Sequence, residues 1–135
     1  MKPPLQLLHS VTAACGPEFI KKPYAARRPP NAHPTWGNCY VACEALYHLW
    51  AKDHGFKPHW TTLFDCNCSA DCKGGTHWFL RNPKTGQVLD PTVEQFGGVI
   101  PDYRQGICCG FLTKRPSNRC KQMLARIKEQ RVNHA

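Results

Sequence analysis

No stretch of this 135-residue sequence approaches the roughly 20 apolar residues that a membrane helix needs. Near the N-terminus, Lys2 and the run ending in Thr12-Ala13-Ala14-Cys15 loosely mimic an export signal. Such a signal requires an apolar stretch of about 7 to 15 residues; Gln6, His9, Ser10 and Thr12 interrupt it, and Pro3-Pro4 precede it. The chain is therefore expected to avoid membranes and export, and to act in the reducing cytoplasm of a bacterial or virus-infected cell. Acidic residues are also scarce. Nine Asp and Glu stand against 18 Lys and Arg, leaving a net charge of +9. That imbalance favours an acidic partner, such as nucleic acid or an anionic metabolite. No module of interleaved aromatic and basic residues accompanies the charge, and no internal repeat is present.

What the chain does hold is cysteine, proline and glycine. Nine cysteines cannot all pair within one chain, and in a reducing compartment such thiols point to metal binding or catalysis. Twelve prolines and ten glycines predict many turns. A hydrophobic fraction of 41% over this length suits one globular domain, residues 1–135.

Residues 1–35 carry seven of the prolines and read as an irregular segment strapped over a core, with at most a short helix over 5–14 and a basic arm at Lys21, Lys22, Arg27 and Arg28. From Cys39 onward Val41, Ala42, Ala45, Leu46, Leu49 and Trp50 recur at helical spacing, with Glu44, His48 and Lys52 largely on the other side. The spacing predicts a helix over 39–53, capped by Asn38 and stopped by Gly55. Strands are predicted over 59–64 and 76–81, then a turn at Asn82-Pro83-Lys84-Thr85-Gly86 and a short return strand over 87–90. Phe111-Leu112 reads as a last strand. Residues 114–135 read as a basic C-terminal helix burying Cys120, Met123, Leu124 and Ile127. The expected class is α+β, with 36–113 as a catalytic core.

The chemistry gathers in that core. A thiol at a helix N-terminus, as at Cys39, meets the positive end of the helix dipole and unpaired N–H groups, which favour thiolate. The same N–H groups can hold an oxyanion. His77 falls on the outgoing strand of the predicted hairpin and Asp90 on its return. Facing positions in a hairpin lie about 4.5–5.5 Å apart at Cβ, and a centre near Lys84 sets His77 opposite about residue 91. A carboxylate there can hold one ring nitrogen and aim the other at Cys39. A second oxyanion donor is expected from Trp36, Asn38 or Gln6, with Trp78 and Gln95 lining the site.

The pieces Gly37-Asn38-Cys39 with Ala42-Cys43-Glu44-Ala45-Leu46, then His77-Trp78, then Leu89-Asp90-Pro91-Thr92, resemble the transglutaminase-like branch of the papain-like cysteine enzymes. The resemblance covers about residues 36–93. It implies Cys39 as nucleophile, His77 as general base and acid, Asp90 as the group orienting His77, and a Cys-bearing helix packed on a small antiparallel sheet. It implies acyl chemistry on a peptide, amide or ester, by hydrolysis or transfer, with no cofactor required. The direct adjacency of His77 and Trp78 departs from the family's usual spacing.

Cys66, Cys68 and Cys72 share one loop. With Cys108 or Cys109 they would give four ligands for a structural zinc, although Cys-x-Cys-x3-Cys differs from the paired clips usual for that metal. Cys15, Cys43 and Cys120 read as packing residues, Cys43 lying one turn from Cys39. Lys114, Arg115, Arg119, Lys121, Arg126, Lys128 and Arg131 against Glu129 alone give the last helix a basic face suited to nucleic acid or another anion. The rival function is thus a zinc-stabilised nucleic-acid-binding module in which Cys39 is merely packed.

Overall fold

The computed structural model describes residues 5–20, 22, 24–62, 76–98 and 100–133. Among the described residues, three α-helices, α1 (Leu5–Ala14), α2 (Cys39–Leu49) and α3 (Asn118–Asn133), accompany four short strands, β1 (Lys57–Thr62), β2 (Thr76–Arg81), β3 (Val88–Leu89) and β4 (Ile107–Cys108). The strands form one antiparallel sheet in the order β3-β2-β1-β4. The class is α+β, as the alternation of patterns predicts. Among the described residues no helix is long and apolar enough to cross a membrane.

The helices share one core with the sheet. Leu7, Val11 and Ala14 of α1, Val41, Ala42, Ala45 and Leu46 of α2, and Cys120, Met123 and Ile127 of α3 pack with Phe56, Leu80 and Leu89. Side chains alternate across a strand, so Phe79 faces away from Leu80. It is buried on the other side of the sheet, where Tyr103 meets it edge-on at 4.8 Å between ring centroids. Gly106 makes this cover possible: a Cβ there would stand 2.4 Å from Phe79 Cζ. Loop 100–106 therefore lies tight against the face opposite the helices.

Several expectations change. The N-terminal segment is not a strap over a finished core, because α1 supplies core residues itself. Glu44 is not on a solvated face but fully buried. Its carboxylate accepts the Ser117 N–H and the Ser117 hydroxyl, each at 2.7 Å, at the head of α3. A negative group beside the unpaired N–H groups of a helix start is well placed. Ser117 also takes the Cys120 N–H on its Oγ, so α3 starts at Asn118 rather than near 114. Helix α2 ends at Leu49, and residues Ala51–His54 tighten into a 3₁₀ turn closed by Gly55 in the left-handed region. Across this turn Trp50 stacks on His54 with ring centroids 3.9 Å apart.

Strand β1 begins at Lys57, two residues early. Residues 63 and 64 and the Cys-rich loop lie outside the described residues. Phe111-Leu112 forms no strand. Ile107–Cys108 takes the edge position beside β1, while Phe111 packs edge-on to Tyr40 and Tyr47, and the Leu112 N–H is given to Tyr40 Oη at 2.7 Å. A backbone donor spent on a side chain cannot extend a ladder.

Candidate active site

The approach to Cys39 is built by two residues. Gly37 turns the chain in the left-handed region at φ +75, where a Cβ would also stand 3.2 Å from Ile20 Cγ1. Gly37→Ala is expected to cost about 1–2 kcal/mol, the penalty of a side chain in that conformation, read as a lower urea midpoint at unchanged slope. Asn38 follows, fully buried. It does not cap α2 with its side chain, contrary to expectation. Its Oδ1 accepts the Gly16 N–H at 3.2 Å, while Nδ2 donates to Gly16 O at 3.0 Å and Trp36 O at 3.1 Å. Asn38 thus ties the end of α1 to the start of α2, and its amide protons are not free for an oxyanion.

Cys39 opens α2, half-buried and unpaired. Its own N–H meets no acceptor among the described residues, as befits a helix N-terminus. His77 on β2 is buried, and its Nε2 lies 2.7 Å from Asp90 Oδ2, with side-chain exposures of only 1% and 4%. The Cys39 side chain is near enough to the imidazole to favour its charged form. With Nε2 held by Asp90, Nδ1 is the nitrogen left for sulfur. Burial pulls the imidazolium down, but the Asp90 hydrogen bond, the neighbouring Cys39 sulfur and the charges of both push it up to about 9. A histidine so raised stabilises the fold fully below its ordinary 6.5, and that contribution is lost as pH rises through about 9.

The hairpin arithmetic is off by one. Pairs Leu80↔Leu89 and Arg81↔Val88 would set His77 across from Thr92, not residue 91. Asp90 reaches His77 because the ladder stops at Leu89 and Pro91 turns the chain. That turn is an Asx-type motif, with Asp90 Oδ1 accepting the Thr92 N–H at 3.2 Å. From α1, Thr12 Oγ1 donates to Pro91 O at 2.8 Å, so the N-terminal helix also holds the Asp90 turn. Phe96 covers His77 edge-on at 4.7 Å between centroids. Tyr103 donates its phenol to Asp90 Oδ2 at 2.7 Å. Burial and the Asp90 charge push that phenol well above its ordinary range, so it stays a donor. Nothing in the sequence marks Tyr103. The Asp-Pro-Thr string does carry the signal for Thr92.

The remaining candidates separate. Trp36 is half-buried and gives its amide to His33 O at 2.9 Å. Gln6 is exposed at the start of α1. The Trp78 ring packs edge-on against Tyr40 at 4.9 Å and against the helical core. Gln95 Nε2 donates to Thr92 O at 3.1 Å, folding back on its own turn. Cys43 is fully buried, its thiol bonded to Trp78 O at 3.3 Å and pushed well above 9.0 by burial, so it is inert beside Cys39. Cys15 and Cys120 are buried too, each raised to about 12 chiefly by burial. Among the described residues no group of three or more metal-ligand side chains occurs. Cys108 is exposed on β4, and Cys66, Cys68 and Cys72 lie outside the described residues.

The basic face of α3 is divided. Arg119 donates to Phe19 O at 2.8 Å; Arg126 donates to Ala14 O at 3.2 Å, pairs with Glu18 and covers the Phe19 ring. These two arginines bind the N-terminal segment, while Lys121, Lys128 and Arg131 of α3, and Lys114 and Arg115 before it, stay exposed. The chain matches no protein-family model, no curated protein and no solved structure.

Proposed function

We propose that this protein is a cytoplasmic thiol hydrolase or acyltransferase with a papain-like/transglutaminase-like core, acting on a peptide, amide or ester bond. The observation that carries the reading is the buried 2.7 Å contact of His77 with Asp90, with Cys39 at the head of α2 near enough to favour the charged imidazole. The Cys39 thiolate attacks the acyl carbon, forming the C–S bond and an oxyanion that the Cys39 N–H can receive. The His77 imidazolium passes its proton to the departing nitrogen or oxygen as that bond breaks, leaving a thioester. Neutral His77 then takes a proton from water or an amine. That nucleophile adds to the thioester, and the thiolate leaves with the His77 proton available again.

Two measurements test this. Iodoacetamide mapped by peptide mass spectrometry is expected to modify Cys39 ahead of the exposed Cys108 and Cys109, and to abolish turnover found by screening a library of acyl anilides and esters. For an anilide, whose departing nitrogen needs a proton, the rate is expected to fall as pH rises through about 9, where His77 loses that proton. Preferential labelling of Cys108 and Cys109 with Cys39 silent would refute the reading.

A further inference from the structure

Asp90 Oδ2 serves two donors, not one. His77 Nε2 and Tyr103 Oη both lie 2.7 Å from it, while Oδ1 takes the Thr92 N–H. His77 and Asp90 come from the hairpin, but Tyr103 comes from loop 100–106, which continues into the edge strand β4. That loop is seated by the close approach of Gly106 to Phe79 and by the Tyr103 ring edge-on to the same Phe79. The phenol is therefore delivered to one oxygen by a segment outside the hairpin, seated on the hairpin's own Phe79.

We propose that Tyr103 is a positioning residue of the site: its hydroxyl fixes the Asp90 carboxylate and draws off part of the charge that Oδ2 presents to His77. This rests on the thiol-enzyme reading for its consequence in turnover, though not for its consequence on His77. A donor dipole at a carboxylate oxygen weakens the negative potential felt by a second group on that oxygen. Without the hydroxyl, all of that potential acts on the imidazolium, and the carboxylate is free to turn about its bond. Proton affinity at His77 then rises while transfer becomes slower. The titratable groups facing the pair are Cys39 and Cys43 from α2 and Tyr103 itself. His59 of β1 stacks on the far partner Phe79, with centroids 5.6 Å apart.

The test is Tyr103→Phe in the full chain, read first by NMR titration of the His77 ring, which needs no substrate. The midpoint is expected to move upward from its position in the unsubstituted protein. The kcat for an anilide is expected to drop about 10-fold, the size of one hydrogen bond to a charged group, with KM little changed. A control at Arg104→Ala, whose side chain is 90% exposed, is expected to move neither. An unchanged or lowered midpoint in a folded Tyr103→Phe protein would overturn the proposal, since a phenol that merely anchors the loop predicts no rise. Should that variant not fold, 3-fluorotyrosine at position 103 keeps the shape and strengthens the donor, and the midpoint must then fall. An unchanged midpoint there also refutes the proposal. A silent Cys39 with the expected His77 shifts would instead sink the enzyme reading and leave the Tyr103–Asp90–His77 coupling standing.

Discussion

With Asp90 replaced by alanine, the His77 midpoint is expected to fall from near 9, and turnover to fall about 10⁴-fold. The two results have one cause. Among the influences on His77, burial alone opposes the charged ring, and the Asp90 hydrogen bond is the largest that favours it. Take the carboxylate away and only Cys39 is left to oppose burial, so the ring gives up its proton at lower pH. A neutral imidazole cannot supply a proton to a departing amine, and a ring no longer held at Nε2 does not keep Nδ1 aimed at sulfur. The deletion also leaves the Tyr103 phenol and the Thr92 N–H without their acceptor, so some loss of stability accompanies it. NMR titration of the His77 ring separates the electrostatic effect from unfolding, and anilide turnover measures the chemical one. A His77 midpoint that stays near 9 in a folded Asp90→Ala protein would show that Asp90 is not what charges the ring.

How much of this arrangement is legible beforehand depends on how local its signals are. The thiol at a helix start, the histidine on a strand and the acid on its return are each written in short strings: Gly37-Asn38-Cys39 before an apolar helix, and a hairpin bracketed by Asn82-Pro83 and Gly86. The register misses by one residue, and the miss does not matter, because Asp90 is placed by the Asx turn after the ladder stops. Long-range polar pairings are where sequence reading fails. Glu44 looks like a solvated helix residue because its partner, Ser117, is 73 residues away. Asn38 looks like a cap because nothing local reveals Gly16, 22 residues back. Tyr103 sits in a turn-rich stretch with no periodicity, and only the seat of Gly106 on Phe79 brings it to Asp90. The arginines of α3 read as a binding face, yet two of them spend their donors on carbonyls of the N-terminal segment. Charge counts along a helix do not say which guanidinium groups are already occupied.

Asn38→Ala is expected to be the most destabilising single change near the site, lowering stability by about 3 kcal/mol. Three hydrogen bonds go at once. Gly16 is buried, so its N–H is left without a partner at a cost of about 1–3 kcal/mol, while its carbonyl keeps only the Phe19 N–H at 3.2 Å. For a chain of this size that is a fall in Tm of about 10 °C. An exposed control, Asn118→Ala at the first residue of α3, is expected to stay within about 0.5 kcal/mol. The Asn38 loss reaches the chemistry as well. Its side chain is what joins the end of α1 to the turn that delivers Cys39, and α1 in turn holds Pro91 through Thr12. Iodoacetamide modification of Cys39 is therefore expected to slow in the folded fraction of Asn38→Ala, because the sulfur no longer sits at a fixed place beside His77. Denaturant titration gives the stability change and labelling kinetics below the transition give the second effect. Unaltered stability would mean that the Gly16 groups find other partners and that the segment before α2 is not fastened through Asn38.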